Sequence, residues 1–233
     1  LFDSRAKARA AIEAGGVTAD GSLVAKASEM INESAALAAT PAHPWVGRGA
    51  LKLDHALTLW PTAVEGRVVL DVGASTGGFT EVCLMRGAAR VFAVDVGRDQ
   101  LHWSLRSDPR LVSLEGVDAR ALSADLITEP PGLIVCDASF IGLAKVLPAA
   151  LALAAPGADL ICLLKPQFEV GPDKVGKGGV VRDEAARQTA LASVADWLAA
   201  QGWPVRETTQ SPITGADGNL EWLVWAQQKG RPA

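Results

Sequence analysis

The sequence has no tyrosine, two methionines, three cysteines and three histidines among 233 residues. Cys83, Cys136 and Cys162 are far apart, and each lies in an apolar run. That excludes a disulfide frame and a zinc site built on cysteine pairs. They read as buried free thiols in a reducing compartment, the cytoplasm, and no metal is expected. No apolar run is long enough to span a bilayer and no signal peptide opens the chain, so no membrane partner is expected. Leu1 stands where a start Met would be, so the chain reads as part of a longer one. A net charge of −4 supplies no general attraction for nucleic acid. Any RNA contact must come from local basic patches. Nothing in the sequence sets an oligomeric state.

What is present is an apolar content of 49%, ample for one α/β domain with a small appendage. The chain is organised around the run from Val68 to Thr80. Val68-Val69-Leu70-Asp71-Val72 is a buried parallel strand, and Gly73-Ala74-Ser75-Thr76-Gly77-Gly78 is a tight turn into a helix that opens at Phe79-Thr80. A second apolar strand, Val91 to Asp95, ends in an acid about twenty residues later, where a carboxylate can take the two hydroxyls of a ribose. Ser75 occupies the middle glycine position of a dinucleotide fingerprint, which therefore fails. A phosphate-binding P-loop fails too, because no Gly-Lys-Ser/Thr follows. Strand, Asp-x-Gly-x-x-x-Gly-Gly, helix, strand, acid resembles the form seen in S-adenosylmethionine methyltransferases. The plainer alternative is a Gly-rich turn that holds no ligand.

Residues 1–40 read as a basic helix, Ser4 to Ala14, with Ser4 as N-cap and Arg5, Lys7 and Arg9 in its first turns. A hairpin over Val17–Val24 follows, turning at Asp20-Gly21, with Lys26 beyond it. This stretch resembles two thirds of an S4 RNA-binding module, without its first helix. The alternative is a solvated charged face, as most charge runs are. Residues 41–49 read as a Pro/Gly linker carrying Trp45 and Arg48, where Trp45 can stack on a base or plug against the next domain. The remainder, 50–233, alternates helices and strands: helices near Ala50–Leu59, Asp99–Leu105, Leu143–Ala155 and Asp183–Ala200, and strands at Leu111–Leu114, Leu133–Asp137, Asp159–Lys165, Pro204–Ser211 and Leu220–Gln227. Gly171–Arg182 is a Gly/Lys loop. Such alternation predicts a seven-stranded, mostly parallel sheet, a Rossmann-like α/β fold, with polar strand ends at the ligand crevice. Asp71, Asp95, Asp137 and Lys165 fall at those ends.

A lysine serving as a base must give up a proton that a free amine holds to ~10.4. A second ammonium, such as Lys52, or a bound sulfonium favours that loss, and a carboxylate such as Asp137 orients the amine. Two lysines and two carboxylates around one hydroxyl can position it, take its proton and align it for methyl transfer.

Lys52, Asp137, Lys165 and Glu221 resemble, position by position, the Lys-Asp-Lys-Glu tetrad of the FtsJ-like ribose 2'-O-methyltransferases. Trp45-Val46-Gly47-Arg48-Gly49-Ala50-Leu51-Lys52, Leu164-Lys165-Pro166-Gln167-Phe168-Glu169, Gly178-Gly179-Val180-Val181-Arg182 and Gly218-Asn219-Leu220-Glu221 narrow the likeness to the TlyA family, whose members often carry haemolysin names. The resemblance implies a class I methyltransferase that uses S-adenosylmethionine to methylate cytidine 2'-OH in 16S or 23S ribosomal RNA, or both, with ribosomal subunits as partners. It makes Lys165 the base, Asp137 its orienter, and Lys52 and Glu221 the holders of the hydroxyl. The cofactor would meet Asp71, Gly73, Ala74, Ser75, Thr76, Gly77, Gly78 and Phe79, with Asp95 and Val96 at the ribose and Asp118 and Ala119 at the adenine. RNA would meet Arg5, Lys7, Arg9, Lys26, Trp45 and Arg48. The sequence departs from the family where the S4 head is missing, where Asp118 replaces an expected Asn and where His43 replaces an Arg.

Plainer roles exist for each residue. On position alone Lys52 reads more readily as a surface lysine, Asp137 can be a helix cap and Glu221 an edge charge, while Phe79, Phe140 and Phe168 read as packing. Two other functions compete: a non-catalytic RNA-binding or ribosome-assembly factor, and a membrane-lytic haemolysin, for which no cation-rich amphipathic segment is present.

Overall fold

The computed structural model describes residues 1–2 and 5–229. The expected N-cap at Ser4 lies outside them. The chain divides into two compact units, Leu1–Pro44 and Trp45–Ala233.

In the first unit, α1 (Arg5–Glu13) ends at Gly15, which takes a left-handed φ of 73°. Strands β1 (Val17–Ala19), β2 (Ser22–Leu23) and β3 (Leu37–Ala39) form an antiparallel sheet in the order β2-β1-β3. Asp20 and Gly21 both have positive φ, 49° and 80°, as a two-residue hairpin turn requires. The third strand has no sequence signal: Leu37-Ala38-Ala39 has no β-branched residue, and only pairing with β1 makes it a strand.

The second unit is built on a seven-stranded sheet: β4 (Val68–Val72), β5 (Arg90–Asp95), β6 (Leu111–Glu115), β7 (Leu133–Cys136), β8 (Asp159–Leu164), β9 (Val205–Gln210) and β10 (Trp222–Gln227). Their order is β6-β5-β4-β7-β8-β10-β9. The pairs from β6 to β8 are parallel, and β10 runs antiparallel to both its neighbours. The sheet is buried on both faces, which explains the unbroken apolar runs in its central strands. One face packs under α2 (Gly49–Leu59) and α3 (Gly78–Met85), through Leu53, Ala56, Phe79 and Val82. The other packs under α4 (Leu143–Val146), α5 (Pro148–Leu153) and α7 (Glu184–Ala200), through Leu147, Val194 and Leu198. A one-turn helix, α6 (Pro166–Glu169), follows β8. All three cysteines are buried. Among the described residues, no helix is long and apolar enough to cross a membrane.

Two expected helices differ. Leu143–Ala155 is split at Pro148, which has no N–H to continue the first piece and instead opens the second. Asp99–Leu105 is a series of turns, not a helix. Its i, i+4 leucines, Leu101 and Leu105, pack with Val46. The His102 N–H donates to the Thr76 carbonyl at 3.1 Å instead of extending a helix.

The chain leaves β4 outward through β5 and β6, then crosses back to β7. The strand order therefore reverses between β4 and β7, and α/β sheets bind ligands at that reversal, beyond the strand carboxyl ends.

Candidate active site

The turn after β4 is bound tightly to its neighbours. Gly73 has φ 82°, and a Cβ on it would lie 2.8 Å from the Ala138 Cα, so only glycine fits between β4 and the segment after β7. Ser75 takes a left-handed φ of 48° without being glycine. Its N–H donates to Asp95 Oδ2 at 2.8 Å, while Asp95 Oδ1 accepts from Gly97 N at 2.7 Å. The acid at the end of β5 thus braces the loop, and each oxygen keeps a second lone pair for a ligand.

Beyond the β4 and β7 ends lies a cavity of about 500 Å³, lined by Gly73, Ser75, Asp95, Val96, Asp118 and Ala119 among others. It adjoins a smaller one of about 180 Å³, lined by Gly49, Ala74, Thr76, Gly78, Phe79 and Lys165. Gly73, Ser75, Asp137 and Ser139 border both. The large cavity has the size and the polar and apolar walls that a nucleoside needs. Its donor set fits S-adenosylmethionine: a strand-end carboxylate and a glycine cradle that a Cβ would fill.

Two expected cofactor residues do not line either cavity. Asp71 is wholly buried under the loop, its Oδ2 accepting from Thr80 Oγ1 at 2.6 Å. Burial pushes its carboxyl up to about 7, against the lowering effect of the Thr80 bond. Gly77 faces the other way: a Cβ there would lie 2.5 Å from Leu105 Cδ1. Asp118, expected at the adenine, caps a 3-10 turn at Ala119–Ala121 and is gripped by Arg120, with Nη2 at 2.5 Å from Oδ2. Hydrogen bonds from Arg120 hold its carboxyl down at about 2.

The four tetrad positions form two ion pairs. Lys165 Nζ lies 2.6 Å from Asp137 Oδ1 and donates to the Asp137 carbonyl at 3.1 Å and to Ser139 Oγ at 2.7 Å. The Asp137 carbonyl and Ser139 Oγ take two of the three donors of an ammonium, and the Asp137 carboxylate adds an ion pair at Oδ1 that lacks hydrogen-bond geometry. Lys165 reaches this position because Pro166 ends β8 and starts α6 directly after it. Lys52 Nζ lies 2.6 Å from Glu221 Oε2, and both side chains are buried. The β8–β10 register ends with Leu164 opposite Trp222, which sets Lys165 and Glu221 at the adjoining positions of the two strands. Gly49, at the start of α2, sits so close to Asp137 that a Cβ on it would be 3.2 Å from Oδ2. Thus α2 approaches Asp137 at Gly49 and the ends of β8 and β10 adjoin, while Lys52 and Glu221 themselves line neither cavity.

The plainer readings of these residues fail. Lys52 is no surface lysine, Glu221 precedes an interior strand, and the helix after Asp137 is capped from Gly142. Phe79 is packing, at 3% exposure. Phe140 is not: it is 90% exposed at the cavity mouth, with φ 65° and its ring 5.4 Å from that of Phe168. Ser139 is a site residue that the sequence does not single out. Only its contact with Lys165 reveals it, although it follows the strand-end acid by two residues.

Among the expected RNA residues, Arg5, Arg9, Lys26 and Arg48 are exposed, and Lys7 is half-buried. Arg9 is paired with Glu13 at 2.7 Å. Arg48 Nη2 donates to the Thr214 carbonyl. Trp45 packs partly against the core cluster under α2 and α3, a plug within the second unit.

Sheet order and site together define a Rossmann-like α/β methyltransferase, with a nucleoside cavity at the β4–β7 reversal and a lysine–carboxylate cluster beside it. The FtsJ-like methyltransferase family matches residues 45–228, and the chain belongs to that family. A 16S/23S rRNA (cytidine-2'-O)-methyltransferase TlyA of Mycobacterium tuberculosis is 47% identical over 227 residues, 97% of this chain and 85% of that protein. Hemolysin A of Brachyspira hyodysenteriae is 36% identical, over 95% of this chain and 93% of its own. A solved structure of a hemolysin-named protein from Streptococcus thermophilus superposes with a TM-score of 0.81 at 36% identity, covering 100% of this chain and 86% of that one.

Proposed function

We propose that the protein transfers a methyl group from S-adenosylmethionine to the 2'-OH of cytidine in ribosomal RNA, acting in the cytoplasm on ribosomal subunits. The observation that carries this is the position of Lys165: its amine, held by Asp137 and Ser139, borders a small cavity that shares four residues with the nucleoside cavity. The identity to the Mycobacterium tuberculosis protein supports the choice of substrate. The cofactor, when bound, supplies a methyl group on a cationic sulfur. Gly73, Ala74, Ser75, Thr76 and Gly78 would hold it at the loop, with Asp95 and Val96 at the ribose and Asp118 and Ala119 at the base.

In this reading the target hydroxyl takes the place of Ser139 Oγ, one of the two neutral oxygens that accept from Lys165. Having first released a proton to solvent, Lys165 takes the hydroxyl proton as a neutral amine while the oxygen takes up the methyl group, and Asp137 keeps the amine aimed. Lys52 and Glu221, neutral as a pair, hold the hydroxyl without adding net charge to the pocket. Phe140, exposed and backbone-strained at the mouth, offers a ring face to the nucleobase.

Lys165→Ala tests the base. Removing a general base costs about 10²–10⁴ in rate. The expected result is methylation of unmodified ribosomal subunits reduced by that much, with cofactor and RNA binding retained. A variant that methylates at the wild-type rate would refute the assignment.

A further inference from the structure

The Gly/Lys loop found in the sequence has no role in the chemistry so far. Gly171–Arg182 carries Lys174, Lys177 and Arg182 against a single acid, Asp173, in a chain whose net charge is −4. All three cations are exposed. The loop is anchored by one buried side chain, Asn219, which is 1% exposed. Asn219 Oδ1 accepts from Val181 N at 3.0 Å, and its Nδ2 donates to the Gly179 carbonyl at 2.8 Å.

Asn219 also belongs to the turn that sets Glu221. Its own carbonyl accepts from Gly215 N at 2.9 Å, and a Cβ on Gly215 would lie 2.6 Å from Glu221 Oε1. One amide side chain therefore joins a basic loop to the turn against which a tetrad carboxylate rests. A buried amide with both ends engaged is costly to disturb, so the two segments move together or not at all.

We propose that the 171–182 loop binds the phosphates beside the target ribose through Lys174 and Lys177, and that Asn219 is a positioning residue which transmits that contact to Glu221 and its partner Lys52. This rests on the ribose methyltransferase reading above. Phosphates are the complementary chemistry because lysines on glycine-rich backbone approach a polyanion as mobile point charges, without reading bases.

The test uses the full protein, methyl-labelled S-adenosylmethionine and unmodified ribosomal subunits. K174A/K177A should raise the KM for subunits and lower the salt dependence of binding by a slope of about 1 per lysine, with cofactor affinity unchanged. N219A should lower kcat by roughly 3–10-fold, the effect of one to two buried hydrogen bonds. Combined with K174A/K177A, its effect should be less than the product of the two, as for coupled sites. N219D keeps the acceptor for Val181 N and loses the donor to Gly179, and carries the test if N219A does not fold. Its kcat should also fall. Unchanged KM and salt slope in K174A/K177A would overturn the phosphate contact. Wild-type kcat in a folded Asn219 variant, or strictly multiplicative effects, would overturn the coupling. If the wild-type protein transfers no label, the methyltransferase reading itself has failed, which is a separate result.

Discussion

The Lys52–Glu221 pair is buried, with side chains 9% and 3% exposed. A buried pair gains little over a well-packed apolar replacement, but removing one partner strands the other charge. K52M or E221L alone should therefore destabilise by about 3–5 kcal/mol, and K52M/E221L should recover most of that deficit in urea unfolding. Activity should fall in all three, on the proposed role of the pair in holding the target hydroxyl. A double variant no more stable than the singles would show that the pair does not behave as a unit.

Asp71 gives the fold a pH dependence. Its carboxyl rises from an ordinary 3.8 to about 7 because burial disfavours the charged form. The folded state thus binds the proton more tightly than the unfolded chain does. The penalty for ionising it in the fold is absent below about pH 4, grows as pH rises, and is complete above about pH 7, where it is on the order of 4 kcal/mol. Asp71→Asn keeps an acceptor for Thr80 and removes the titration. Compared with wild type, it should be relatively more stable at pH 8 than at pH 4. Equal pH profiles for unfolding of the two proteins would contradict the burial argument.

At the scale of elements, the site depends on how closely β4 approaches the segment after β7. Gly73→Ala combines a left-handed φ, worth about 1–2 kcal/mol, with a methyl 2.8 Å from Ala138 Cα. Cofactor affinity should fall at least about tenfold by calorimetry, while the fold survives. The central strands are legible in the sequence because β-branched apolar runs end in an acid or a lysine. The turns at 99–105 are not, because two leucines four apart look helical whether they pack on a sheet or on a loop. The break at Pro148 is legible in principle, since proline stops a hydrogen-bond ladder wherever it falls. Strand β3 is invisible, having no pattern of its own. The tetrad is legible only through family likeness: Lys52 and Glu221 are 169 residues apart, and no local spacing joins them. Ser139 and Asn219 are hidden for the same reason, as their roles lie in what they touch.

At the scale of the molecule, the two units differ in how much core they own. Residues 45–229 contain both large apolar clusters, one on each face of the sheet. Among the described residues of 1–44, the apolar cluster holds three buried side chains, Ala11, Val17 and Val24. Below about 40 residues a chain rarely buries enough apolar surface to fold unaided, and the first unit sits near that limit. Residues 45–233 alone should therefore unfold cooperatively and bind S-adenosylmethionine as the whole chain does. A peptide of residues 1–44 should give a largely coil circular dichroism spectrum. Removing residues 1–44 also tests where RNA is held. The chain has 22 Lys and Arg against 26 Asp and Glu, and on the proposed RNA substrate Arg5, Lys7, Arg9 and Lys26 should supply phosphate contacts in addition to those of Lys174 and Lys177. Subunit binding by 45–233 should then weaken, and its salt slope should shrink by roughly 0.7–0.9 for every phosphate that those four cations neutralise. A salt slope for 45–233 equal to that of the full chain would place RNA recognition entirely in the methyltransferase unit.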